Sequence, residues 1–164
     1  MALFAPDQLT LAADVLAAAG AAELRIVAAE TCTAGLVSAC LTSVAGASKI
    51  FERGFVLYHD SAKATGLGVP EAVARTHGAV SAEVTQGLAE GALAHSTAGV
   101  SVAVTGYAGP GGGNPKNPVG TVYVASARKG RPSLVERHNF TGDRDAVRSQ
   151  AVGAALAILR RQLA

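Results

Sequence analysis

Three stretches of this sequence carry side chains able to do hydrolytic chemistry. Glu30-Thr-Cys-Thr-Ala-Gly35 sets two hydroxyls and a thiol at a strand-to-helix turn. Backbone N–H groups and positive potential at a helix start favour nucleophile activation and oxyanion stabilisation. Thr31 and Thr33 read there either as hydroxyl nucleophiles or as helix caps. Cys32 reads either as a thiolate activated by the helix end or as a small buried hydrophobe. Tyr58-His-Asp-Ser-Ala-Lys63 adds a phenol and an amine. Hydroxyl nucleophiles paired with lysine bases are an alternative to the Ser-His-Asp triad. Without a cleft around it, Lys63 is a solvated helix residue with Asp60 as its ion-pair partner. The third stretch, Val104 to Val124, encloses Gly-Tyr-Ala-Gly-Pro-Gly-Gly-Gly-Asn-Pro-Lys-Asn-Pro between two apolar segments. That connection is far longer than the roughly two to five residues of a hairpin. Its glycines let a ligand approach the backbone, Pro110, Pro115 and Pro118 stiffen the path, and several N–H groups can converge on one anionic atom. A surface loop without a role is the alternative.

Other chemistries fit poorly. No Gly-Lys-Ser/Thr closes a phosphate loop, since Lys116 stands between Pro115 and Asn117, and no G-x-G-x-x-G opens a helix after the first strand. The Tyr58–Lys63 spacing is one residue longer than the short-chain dehydrogenase pair. His59, His77, His95 and His138 show no ligand spacing, so no metal is expected. Scattered basic residues and a net charge of +2 argue against a nucleic-acid partner. No apolar run of about 18 residues announces a membrane span, and residues 1–22 lack the basic start of a signal peptide. Cys32 and Cys40 cannot make a disulfide framework, and a cytoplasmic location is expected. With 49% hydrophobic and 16% charged residues, part of the apolar surface is expected to lie in a homo-oligomer interface.

The elements that must position these groups follow from periodicity and caps. Helices are predicted over Pro6–Ala19, about Ala34–Val44, Ser61–Thr65, Pro70–Thr76, Ser81 to about His95 with Ser81 as cap, and Asp143–Leu163 with Asp143 as cap. Strands are predicted over Leu24–Ala29, Gly54–Tyr58, Val100–Thr105, Gly120–Ala127 and Ser133–Phe140. The alternation implies one α/β domain over residues 1–164, a three-layer sandwich whose mixed sheet carries helices on both faces. Ligands gather at the carboxyl ends of such strands, where all three chemical stretches emerge.

The stretches Glu30–Leu36, Gly54–Tyr58 with Ser61-Ala-Lys63, His77–Ser81, Val104–Gly113, Pro118–Val122 and Gly142–Arg144 occur in this order. Together, from about residue 8 to residue 163, they resemble the CinA C-terminal domain family in its stand-alone form. Characterised members are nicotinamide-nucleotide amidohydrolases, which convert nicotinamide mononucleotide (NMN) to nicotinic acid mononucleotide and ammonia. The resemblance implies a small nucleotide substrate and no cofactor. By position it places the nucleophile on Thr31, with assistance from Tyr58 and Lys63. It assigns substrate or oxyanion contacts to Thr105, Gly106, Gly109, Gly111, Gly112 and Gly113, and a phosphate contact to Arg144. This chain departs from the family pattern at Thr31, where serine is usual, at Ala34-Gly35, where a glycine pair is usual, and at His59-Asp60. An inactive nucleotide-binding homologue and a Cys32-dependent hydrolase stay open as alternatives.

Overall fold

Side chains alternate across a strand, and the first strand sorts its residues accordingly. Ile26 and Ala28 pack into one apolar cluster, whereas Val27 and Ala29 pack into a second on the opposite face. The computed structural model describes residues 2–164. Its sheet holds β1 (Ile26–Glu30), β2 (Phe51–Val56), β3 (Val100–Gly106), β4 (Thr121–Arg128) and β5 (Arg131–Asn139) in the order β2-β1-β3-β4-β5. β1 is parallel to both β2 and β3, while β3–β4 and β4–β5 are antiparallel.

Helices α1 (Pro6–Ala21), α2 (Leu36–Thr42) and α6 (Arg144–Leu163) cover the face of Ile26 and Ala28. Helices α3 (Asp60–Leu67), α4 (Glu71–His77) and α5 (Ala82–Ala94) lie on the other side, where Val84, Leu88 and Ala92 meet Val27 and Ala103. Valine, alanine and leucine fill both clusters, as a chain with no Trp and four Phe requires. The expected three-layer mixed-sheet domain is thus observed. So are two caps: Ser81 Oγ accepts from Val84 N at 3.3 Å, and Asp143 Oδ1 accepts from Ala146 N at 2.9 Å.

Several boundaries differ from expectation, and two of them bear on the site. β2 begins at Phe51 rather than Gly54. Gly54 sits mid-strand instead of opening it, at a place where a Cβ would stand 2.5 Å from Ser38 Oγ of α2. Helix α2 begins at Leu36 rather than Ala34, because Ala34 (φ 46) and Gly35 (φ 100) both adopt left-handed backbone. β1 connects leftward to β2, and the chain returns past β1 to β3, so the strand order reverses at the carboxyl ends of β1 and β3. In open α/β sheets that crevice is where ligands bind.

Candidate active site

At the end of β1 the chain divides its functions between the two faces. The Glu30 carboxylate turns beneath α2 and accepts from Gly35 N and Val37 N at 3.0 Å each, Ser38 N at 2.8 Å and Ser38 Oγ at 2.7 Å. Arg148 of α6 donates to the Cys32 and Thr33 carbonyls at 3.0 and 3.5 Å. These contacts hold the turn in shape. A left-handed Ala34 costs about 1–2 kcal/mol, comparable to the roughly 1.5–3 kcal/mol of one hydrogen bond with a charged group, and the Glu30 carboxylate accepts four. Thr31 turns the other way. Its backbone N–H and its hydroxyl both donate to the Val104 carbonyl, at 3.2 and 3.0 Å.

A cleft of about 270 Å³ opens at this crevice. Thr31 and Cys32 after β1, Tyr58, Asp60 and Lys63 after β2, Ala79 and Val80 before α5, and the loop residues Gly106 to Gly109 and Gly111 line it, with Arg144 at the start of α6. All three segments that the sequence singled out therefore meet in one space.

Lys63 is 5% exposed, and its Nζ donates to Asp60 Oδ1 at 2.9 Å and to the Ala79 carbonyl at 3.4 Å. Tyr58 is 61% exposed, with its hydroxyl accepting from Arg144 Nη2 at 2.8 Å. Arg144 Nη1 donates to the Gly109 carbonyl at 2.7 Å, so one guanidinium ties the glycine loop to the tyrosine. Among the described residues, the N–H groups of Ala108, Gly109 and Gly111 have no hydrogen-bond acceptor. All three residues border the cleft, where an unpaired amide can stabilise a developing negative charge.

Several expectations need correction. The N–H donors at the start of α2 do not face the cleft, because Glu30 occupies them. Neither Thr31 nor Thr33 caps that helix. Thr31 bonds Val104, and the buried Thr33 hydroxyl has no partner among the described residues. Cys32 fits the buried-hydrophobe reading: burial pushes its thiol from an ordinary 9.0 up to about 11, and the Thr31 hydroxyl and the Arg148 guanidinium only partly offset this. A thiol so protonated is a poor nucleophile at neutral pH.

Thr105 does not reach the cleft. It is fully buried and shares a 2.8 Å hydrogen bond with Thr85. Gly112 and Gly113 shape the loop instead of lining the cleft, Gly113 having φ 78 and lying so close to Val119 N that a Cβ would stand 2.7 Å away. Gly106 does belong to the wall. A side chain there would press on Val122 at 2.8 Å and on Cys32 Sγ at 3.1 Å.

Asn117, 3% exposed, was not singled out by sequence reasoning. It anchors the glycine loop by donating to the Val80 carbonyl at 3.0 Å and accepting from the Tyr123 hydroxyl at 3.1 Å. A long loop in a compact domain must have its interior polar groups satisfied somewhere, and the asparagines inside it, Asn114 and Asn117, are the available signal. Among the described residues no three His, Cys, Asp or Glu side chains gather where a metal could sit, and no helix is long and apolar enough to cross a membrane.

Comparison with known proteins agrees with this architecture. The crystal structure of the competence/damage inducible protein CihA from Agrobacterium tumefaciens superposes with a TM-score of 0.95 at 38% identity, covering 99% of each chain. The nicotinamide-nucleotide amidohydrolase PncC of Escherichia coli K12 is 46% identical over 137 residues, 84% of this chain and 83% of that protein. A CinA-like protein of Myxococcus xanthus is 44% identical over 98% of this chain but only 38% of its own length. Against such longer relatives, the first curated matches, the chain spans about a third to two fifths of the length. The family model described as the CinA C-terminal domain matches residues 8–163, and the chain belongs to that family.

Proposed function

We propose that this member of the CinA C-terminal domain family is an amidohydrolase that removes ammonia from NMN, with Thr31 as nucleophile and Lys63 as base. The observation that carries the reading is the placement of the Thr31 hydroxyl and the nearly buried Lys63 on the wall of one cleft, beneath unpaired loop amides. The 46% identity to the Escherichia coli protein named nicotinamide-nucleotide amidohydrolase supports the choice of amide.

In this mechanism Lys63, having given up its ammonium proton to solvent, accepts the Thr31 proton on its neutral amine as Oγ1 bonds to the carboxamide carbon, and the free amides of the glycine loop receive the charge on the carbonyl oxygen. Collapse breaks the C–N bond, and Lys63 returns the proton so that the nitrogen leaves as ammonia. Water then attacks the threonyl ester, with the same amine as base, and nicotinic acid mononucleotide departs. Tyr58 and Arg144 stand at the mouth, where they contact the nucleotide beyond its ring. Side chains and water suffice for every step.

Ammonia release from NMN tests the proposal. The parent chain turns over, Thr31→Ala loses roughly 10⁴-fold or more in kcat, and Thr31→Ser retains or exceeds the parental rate because the threonine methyl, which restricts χ1, is gone. No release by the parent and by Thr31→Ser, under conditions where a serine-bearing relative works, refutes it.

One observation favours a second reading, a nucleotide-binding domain without turnover: the Thr31 hydroxyl donates to the Val104 carbonyl instead of to an amine. That reading predicts NMN binding by calorimetry with no ammonia formed.

A further inference from the structure

We propose that Glu30 is a positioning residue of the reaction, acting through Thr31 without touching substrate; the inference rests on the amidohydrolase reading of the cleft. Glu30 is 1% exposed, stands next to Thr31 in the chain, and lies outside the cleft lining. Its two carboxylate oxygens accept four hydrogen bonds, from Gly35 N, Val37 N, Ser38 N and Ser38 Oγ.

That set of partners has a specific geometric consequence. Glu30 is the last residue of β1, paired to Val56 on one side and Val104 on the other, so its Cα is fixed by the sheet. Helix α2 is short, and the turn before it runs through left-handed Ala34 and Gly35. A carboxylate bonded to the first amides of α2 ties the helix start back to the strand end, and the intervening residues must loop outward. Thr31 follows on the opposite face, where it lines the cleft and its hydroxyl donates to the Val104 carbonyl.

The carboxylate also occupies the donors that would otherwise attract an anion to the wrong side of the turn. A substrate carbonyl or phosphate is left with the free amides of the glycine loop, on the Thr31 side. Only an acceptor-only side chain of this length meets all four donors; Gln would point an NH₂ at one or more of them.

Glu30→Gln, with Ser38→Ala as the mild variant, tests the assignment by two readouts. In the first, kcat for ammonia release falls about a hundredfold in Glu30→Gln, as for a misplacement near an ångström, while KM for NMN stays within about twofold. Ser38→Ala, which removes one of the four bonds and leaves the fold intact, lowers kcat by about threefold to tenfold with KM again unmoved. In the second, native-state hydrogen exchange at Gly35, Val37 and Ser38 speeds up at least about tenfold in Glu30→Gln, while the amides of β1 stay protected.

Unchanged kcat in folded Glu30→Gln and Ser38→Ala, with only the melting temperature lowered, overturns the proposal, as does unaltered exchange of those three amides. Absence of turnover by the parent chain defeats the amidohydrolase reading instead, and the exchange readout then decides by itself whether Glu30 holds the turn.

Discussion

The two sides of the cleft are built on opposite terms. On the inner wall, Thr31, Cys32 and Lys63 are each 6% exposed or less, and the turn that presents Thr31 is fixed by Glu30 beneath it and Arg148 beside it. On the rim, Tyr58 is 61% exposed and Asp60 is largely in solvent, joined to the rest through Arg144 and Lys63. Electrostatic effects are strong where water is excluded and weak where it is not. Under the proposed amidohydrolase reading, the contrast puts bond making on the wall and substrate capture on the rim.

The largest break in that contrast comes from the wall. Lys63→Met keeps the length of the buried stem and removes the amine; kcat falls about 10²- to 10⁴-fold, with circular dichroism unchanged. Retention of most of the activity would move the base elsewhere.

A rim change has a smaller effect of a different kind. Arg144→Gln releases both the Tyr58 hydroxyl and the Gly109 carbonyl. KM for NMN rises about tenfold, equivalent to about 1.4 kcal/mol of lost binding, while kcat stays within a few-fold. A kcat loss as deep as that of Lys63→Met would erase the distinction between rim and wall.

The smallest effect sharpens the wall itself. Burial raises both Cys32 and Cys40 from 9.0 to about 11. The unfolded chain therefore loses these protons before the folded one does. The stability linked to them is fully present below pH 9 and is lost as pH rises from 9 toward 11. Iodoacetamide labelling of the folded protein at pH 9 should run about fiftyfold slower than in denaturant. Labelling at the unfolded rate, or inactivation of a Cys32→Ala variant, would restore the thiol to the chemistry.

Much of this arrangement was legible in the sequence, and the reasons are physical. The three exit segments could be placed because strand and helix periods differ and because parallel strands put their carboxyl ends together. Ser81 and Asp143 were readable as caps from residue type alone. What stayed hidden depends on contacts between distant elements. Thr105 belongs to the glycine stretch in sequence, but its partner is Thr85 on α5, twenty residues away. Gly54 lies in the middle of an edge strand, where Ser38 on α2 leaves no room for a Cβ.

Glu30 is the instructive omission. It opens the stretch that carries Thr31, yet residue type and spacing give it no role there, and only the fold reveals that its oxygens are committed to the helix beside it. The same fold explains why Thr33, two positions beyond Thr31 and of identical type, has no part in the cleft: it is fully buried on the other side of the turn.

The chemistry assigned to Thr31 has a direct signature. NMN mixed with the protein and quenched in acid within the first turnovers should yield a covalent adduct on Thr31, located by peptide mass spectrometry. Its mass gain equals that of nicotinic acid mononucleotide less one water, and the adduct is absent from Thr31→Ala. Undiminished ammonia release by Thr31→Ala, or an adduct found on Cys32, would contradict the account.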